Sequence, residues 1–152
     1  MNLFGRNLES EVAVVAEIGV NHEGNAESAL RLLTLAASAG ADAVKFQSYT
    51  PERFIECTDT DRFNRVQNFA LDEVVHRSLA TEALGLGISF FSTAVSEDWV
   101  PIIAELGEAI KIASGDLTFE NVIRAAAQTG KPVIISTGLG CVEEIDTAIG
   151  WL

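Results

Sequence analysis

Apolar and polar positions along this chain follow two different periods in turn. Five stretches rich in β-branched residues read with period two: "EVAVVAEIG" (11–19), "ADAVKFQ" (41–47), "GISFFST" (87–93), "AIKIAS" (109–114) and "PVIIST" (132–137). Between them, apolar positions recur at helical spacing. The first such segment covers 25–39, with Leu30, Leu33 and Ala37 on one side, Asn25 placed to cap it and Gly40 to end it. Further helices are predicted over 72–84, 96–106 and 118–129, with a last one from about residue 141. The result is five βα units in sequence order, the pattern of a parallel sheet covered by helices.

An open doubly wound sheet and a (β/α) barrel both fit that pattern. Polar residues end several different strands: Glu17, Lys45 with Gln47, Thr93, Lys111 with Ser114, and Ser136 with Thr137. An open sheet would gather such residues at one crevice, whereas a barrel collects them around one axis. The predicted fold class is therefore α/β, a TIM-type (β/α) barrel truncated to about five βα units. Five units are too few to close a barrel, and the closing "IDTAIGWL" has no terminating glycine beyond its apolar pattern. Residues 1–152 accordingly read as the N-terminal part of a barrel catalytic domain, the front of a longer protein. Its first and fifth strands would then be open edges that invite self-association.

Composition narrows the function classes. With 152 residues, 48% of them hydrophobic, the chain can bury one sizeable core and is too short for two comfortable domains. A net charge of -12 repels phosphodiester backbones and anionic membrane surfaces, so neither nucleic acid nor membrane is an expected partner. No apolar run reaches the roughly 20 residues of a membrane span, and no secretory signal opens the chain. Cys57 and Cys141 stand far apart without metal-like spacing, which points to a reducing, cytoplasmic setting.

Against that acidic background the lysines stand out. There are three, Lys45, Lys111 and Lys131, all in or beside apolar strands. Alternation puts Lys45 and Gln47 on one face of the second strand, Ala109, Lys111 and Ala113 on one face of the fourth, and Val15, Glu17 and Gly19 on one face of the first. If the small-residue faces look toward the barrel axis, a carboxylate and two ammonium groups converge at the carboxyl end of the sheet. A structural Glu17–lysine pair is one reading. One carboxylate cannot neutralise two lysines, so an external anion is the other, with hydroxyls at Thr93, Ser114, Ser136 and Thr137 as donors for phosphate or carboxylate.

Other candidates carry less. His22, in "NHEGN", reads as a hydrogen-bonding loop residue, a general base or a metal ligand, and His76 beside Arg77 as a solvated surface residue. "STGLG" (136–140) could cradle an anion at a helix start. The connection from Ser48 to about Leu71 is too long for an ordinary loop. Its Arg53, Arg62 and Arg65 either close over an acidic substrate or pair with Glu52, Glu56, Asp59 and Asp61.

In order and spacing, "AEIGVNHEGN", "GADAVKFQSY", "FFSTA", "IKIASGD" and "KPVIISTG" resemble the front half of the sialic acid synthase (N-acetylneuraminate synthase-like) family. The likeness runs from about Val12 to the end of the chain. It implies a transferase that condenses phosphoenolpyruvate with an N-acetylated hexose such as N-acetylmannosamine, forming a nonulosonate and releasing phosphate. Members are homodimers of a barrel followed by an antifreeze-like C-terminal domain, and this chain lacks the remaining strands and that domain. By residue-for-residue match, the resemblance makes Glu17, Lys45 and Lys111 catalytic. Thr93, Ser114 and Ser136 would meet phosphoenolpyruvate alongside the lysines, with Gln47 and Asp116 at the sugar side.

The resemblance also implies a divalent metal, Mn2+ or Mg2+, as Lewis acid for the sugar aldehyde. The family's metal ligands are histidines on later strands, so no metal residue is assigned here. The isolated chain is expected to have little or no condensing activity; a non-catalytic phosphosugar- or phosphate-binding module and a self-associating half-barrel are the alternatives. Cys141 stands where the family offers a serine or threonine helix cap ahead of Glu144, which is expected to weaken that cap.

Overall fold

The computed structural model describes residues 1–152. A small antiparallel hairpin, β1 (Asn2–Leu3) and β2 (Arg6–Asn7), opens the chain. There follow β3 (Val15–Gly19), α1 (Ala26–Ser38), β4 (Ala43–Ser48), the helices α2 (Pro51–Phe54) and α3 (Thr60–Phe69), and α4 (Glu73–Leu86). The second half comprises β5 (Ser89–Ala94), α5 (Val100–Leu106), β6 (Ile110–Ile112), α6 (Glu120–Gln128), β7 (Val133–Ile135) and α7 (Val142–Gly150). Strands β3 to β7 form one parallel sheet of five, ordered as in the sequence. Strand order never reverses, as it must in a doubly wound sheet. The edges of the sheet are β3 and β7.

Capping residues set the helix starts. Asn25 Oδ1 accepts the Ser28 N–H at 2.8 Å, and Asp72 Oδ1 accepts that of Val75 at 2.8 Å. Two boundaries differ from the periodic reading. The first strand starts at Val15 because Glu11 turns back to accept the Asn7 N–H at 2.9 Å. The segment expected as a helix from Ser96 begins instead with a single 3-10 turn, Glu97–Trp99, ahead of α5. Glu144 Oε2 accepts the Cys141 N–H at 2.9 Å and the Cys141 side chain faces the Glu144 N–H, so the capping-box arrangement is kept at α7 with a cysteine in the cap position.

The two faces of the sheet are built differently. Toward the helices, Val44, Phe46 and Phe90 pack with Leu33 of α1 and Leu79 of α4, while Ile110 and Ile112 pack with Ile103 of α5 and Ile123 of α6. The other face carries the smaller cluster of Ala43, Phe91 and Ala109, closed at the amino end of the strands by Leu3 and Phe4. The Phe4 and Phe91 ring centroids are 4.7 Å apart. Phe4 (φ 53°) and Gly5 (φ 72°) both take positive φ, as a type I′ hairpin turn requires. Two-residue strands show no period, so this plug is invisible to pattern reading.

Candidate active site

Register brings the expected residues to one place. Glu17 is paired with Lys45, Gln47 with Thr93, and Thr93 with Lys111, all on the face opposite the helices and at the carboxyl end of the sheet. The Lys45 ammonium, buried, donates to Thr93 Oγ1 at 2.7 Å and meets Glu17 Oε1 at 2.9 Å. The Lys111 ammonium donates to Ser136 Oγ at 2.7 Å and to the carbonyl of Ile112. An ammonium has three N–H bonds. Each lysine thus engages two protein acceptors and keeps one donor over.

The structural ion pair foreseen as one reading is therefore present, and it leaves Lys111 without a carboxylate in direct contact. Asp116 corrects the charge count, because its negative charge favours the charged Lys111 ammonium without a direct ion pair. Burial pushes the Lys111 ammonium below the ordinary lysine range and the Lys45 charge adds to this, while Glu17 and Asp116 pull it back up. Burial pushes the Asp116 carboxyl above its usual range, against the pull of Lys111. Ser114 is exposed and sits against Gly138, where an added Cβ would lie 3.5 Å from the serine's own Cβ. Gly19 (φ 57°) leaves room for Glu17: a Cβ there would come within 3.3 Å of its Oε1. Lys131 lies elsewhere, with its ammonium on the Gly107 carbonyl at 3.0 Å.

His76 differs from expectation, while His22 takes one of its three readings, that of a hydrogen-bonding loop residue. His76 is not a solvated surface residue but is 1% exposed, packed 4.7 Å from the Trp99 ring. Its Nδ1–H donates to the Asp72 carbonyl at 2.9 Å, so Nε2 accepts the Ser48 hydroxyl at 2.8 Å, and Ser48 in turn accepts that of Ser92 at 2.7 Å. The chain from strand to helix satisfies all three groups on the helix-covered face. His22 is buried as well; its Nδ1 accepts the Gly24 N–H at 3.1 Å, and its Nε2 has no hydrogen-bond partner. Neither histidine shares the lysine face, and no three His, Cys, Asp or Glu side chains come together as metal ligands. The side chains present do not fit the divalent metal.

The long connection after β4 is ordered by α2 and α3. Arg53 pairs with Glu97 at 3.6 Å and Asp98 at 3.7 Å, not with the acidic residues of its own segment. Arg62 and Arg65 line a cavity that also reaches Gln47. Their spacing of three on one helix was the signal in the sequence that they share a face.

The NeuB family profile matches residues 32–152. The chain belongs to the NeuB family. It is 39% identical over 137 residues to an uncharacterized protein of Methanocaldococcus jannaschii, covering 90% of this chain and 40% of that one. It is 34% identical to the N,N'-diacetyllegionaminic acid synthase of Campylobacter jejuni, covering 91% of this chain and 46% of that enzyme. Among solved structures, the N-acetylneuraminic acid synthetase of Leptospira borgpetersenii, crystallised in complex with citrate, superposes with a TM-score of 0.85 at 35% identity over 92% of this chain and 50% of that one. The chain thus spans half or less of the length of these NeuB-family relatives.

Proposed function

We propose that this chain carries the phosphoenolpyruvate-binding half of a nonulosonate synthase, and that residues 1–152 are the N-terminal part of its (β/α) barrel catalytic domain. One observation carries the reading. Two ammonium groups, at the ends of β4 and β6 with Thr93 of β5 between them, each with a donor to spare, face the same side of the sheet among the hydroxyls of Thr93 and Ser136. A small molecule bearing a phosphate and a carboxylate suits such a pair, and NeuB-family membership supports that choice.

In this reading the third N–H of Lys45 and that of Lys111 hold the two anionic ends, and Ser114 and Ser136 supply hydroxyl donors. The enol carbon C3 attacks the aldehyde carbon of the open-chain N-acetylated hexose, and the aldehyde oxygen takes up a proton. Water adds at C2, which has become cationic, and gives up one proton. The C2–O bond to phosphate then breaks, inorganic phosphate leaves with the bonding pair and takes up the proton of the new hydroxyl, and C2 becomes a ketone. Positive charge fixed beside the phosphate favours both its binding and its departure. Glu17, with a side chain 57% exposed, is free to order that water or a sugar hydroxyl while it holds Lys45 in place. Asp116 and Gln47 stand on the acceptor side.

Since no ligand set for the family's metal is formed by these residues, the chain is expected to bind phosphoenolpyruvate without turning it over. Phosphorus NMR tests both halves of the statement. Added chain should shift and broaden the phosphoenolpyruvate resonance, and no inorganic phosphate should appear on adding N-acetylmannosamine and Mn2+. An unperturbed resonance would count against the site, and phosphate release against the inactivity.

A further inference from the structure

A cavity of about 280 Å³ opens beside Gln47, between the end of β4 and helix α3. Phe54, Ile55 and Phe69 line it together with Tyr49, whose ring centroid is 5.1 Å from that of Phe54. Arg62 and Arg65 complete the wall. In a chain with 22 acidic residues against 10 basic ones, four of the seven arginines, Arg6, Arg53, Arg77 and Arg124, pair with carboxylates. Arg62 and Arg65 form no ion pair although Asp59 and Asp61 are close in sequence, and Asp59 is occupied in capping α3 through the Arg62 N–H at 3.3 Å. Arg31 is also unpaired but borders a separate cleft along α1. Two guanidinium groups on one side of a helix, beside an apolar wall, offer forked donors to a multiply charged oxyanion attached to a partly apolar molecule.

Gln47 belongs to both places, because it lines this cavity and pairs in register with Thr93, which holds Lys45. Whatever lies between α3 and Gln47 therefore reaches toward the lysines. Resting on the function proposed above, we propose that this cavity is a second anion subsite. It receives the acceptor as a phosphorylated N-acyl sugar, with the phosphomonoester on Arg62 and Arg65 and the acyl methyl against Phe54 and Phe69.

Calorimetry on the 152-residue chain tests this with N-acetylmannosamine 6-phosphate, N-acetylmannosamine and glucose 6-phosphate, each with and without saturating phosphoenolpyruvate. The N-acylated phosphosugar should bind about tenfold or more tightly than either of the others. The margin over N-acetylmannosamine should vanish in the R62Q/R65Q variant and survive in part in R62K/R65K. Both arginines are exposed, and unchanged circular dichroism would show that the variants fold. Equal affinity for phosphorylated and unphosphorylated sugars, no binding of the phosphosugar, or a preference that survives R62Q/R65Q would overturn the proposal. Phosphoenolpyruvate binding, measured alone, reports separately on the lysine site: its absence would defeat the function proposed above, while the titrations without it would still decide the arginine subsite.

Discussion

A buried histidine is a statement about pH as well as about packing. Burial pushes both His22 and His76 below the ordinary histidine range. The unfolded chain then takes up protons near pH 6.5 that the folded chain refuses, so stability is full above that pH and is lost as pH falls toward the lowered folded values. Protonating carboxylates in a chain of net charge -12 relieves repulsion and works the other way. Comparison with a variant separates the two. His76→Gln should be less stable than wild type at pH 7.5 by about 1–3 kcal/mol, for its broken hydrogen bonds, yet lose less on going to pH 5. Thermal melts across that range would show parallel lines if the acid sensitivity came from elsewhere. Pattern reading missed this residue because a polar side chain at a helical position looks solvated. Only the fold shows Ser48 and Ser92 opposite it.

Whole elements can be weighed the same way. The hairpin of β1 and β2 contributes Leu3 and Phe4 to the face that the helices leave uncovered, and the Phe4 N–H donates to Glu108 Oε2 at 3.2 Å. Phe4→Ala should cost about 3–5 kcal/mol in urea denaturation; a loss below about 1 kcal/mol would mean that the hairpin is ornamental. Gly24 (φ 76°) makes the opposite kind of contact, since a Cβ there would stand 1.9 Å from the Asn68 carbonyl oxygen at the end of α3. Gly24→Ala should therefore displace α3 and raise amide exchange throughout Thr60–Phe69, an effect absent if α3 is held by other contacts. The strands and most helices were legible because their periods and caps are local signals: Asn25 and Asp72 mark their helices in the sequence as they do in the structure. The hairpin and the two helices after β4 were not. The two-residue strands and the four-residue α2 are too short for a measurable period, and α3, though ten residues long, buries none of its residues, so it has no buried apolar stripe.

At the scale of the molecule, the lysine constellation was legible for a simple reason. Parallel register carries a period-two pattern across the sheet, with one shift between Glu17 and Gly19 that falls after the Glu17–Lys45 pair, so residues at the carboxyl ends of Val15–Gly19, Ala43–Ser48, Ser89–Ala94 and Ile110–Ile112 had to meet if they shared a face. What could not be read was the balance of charge within it, because Asp116 lies beyond the end of β6 in a single 3-10 turn, where no period applies. The site as observed holds two ammonium groups and two nearby carboxylates, with one direct ion pair, Lys45–Glu17. Its capacity for a further anion rests on the donors left over rather than on net charge. Titration calorimetry of phosphoenolpyruvate into wild type and into the Lys45→Met and Lys111→Met variants tests that capacity most directly. Saturable binding at one site, weakened about tenfold or more by each substitution and by added salt, is the predicted result; no saturable heat from wild type, or an affinity indifferent to both substitutions, would contradict it.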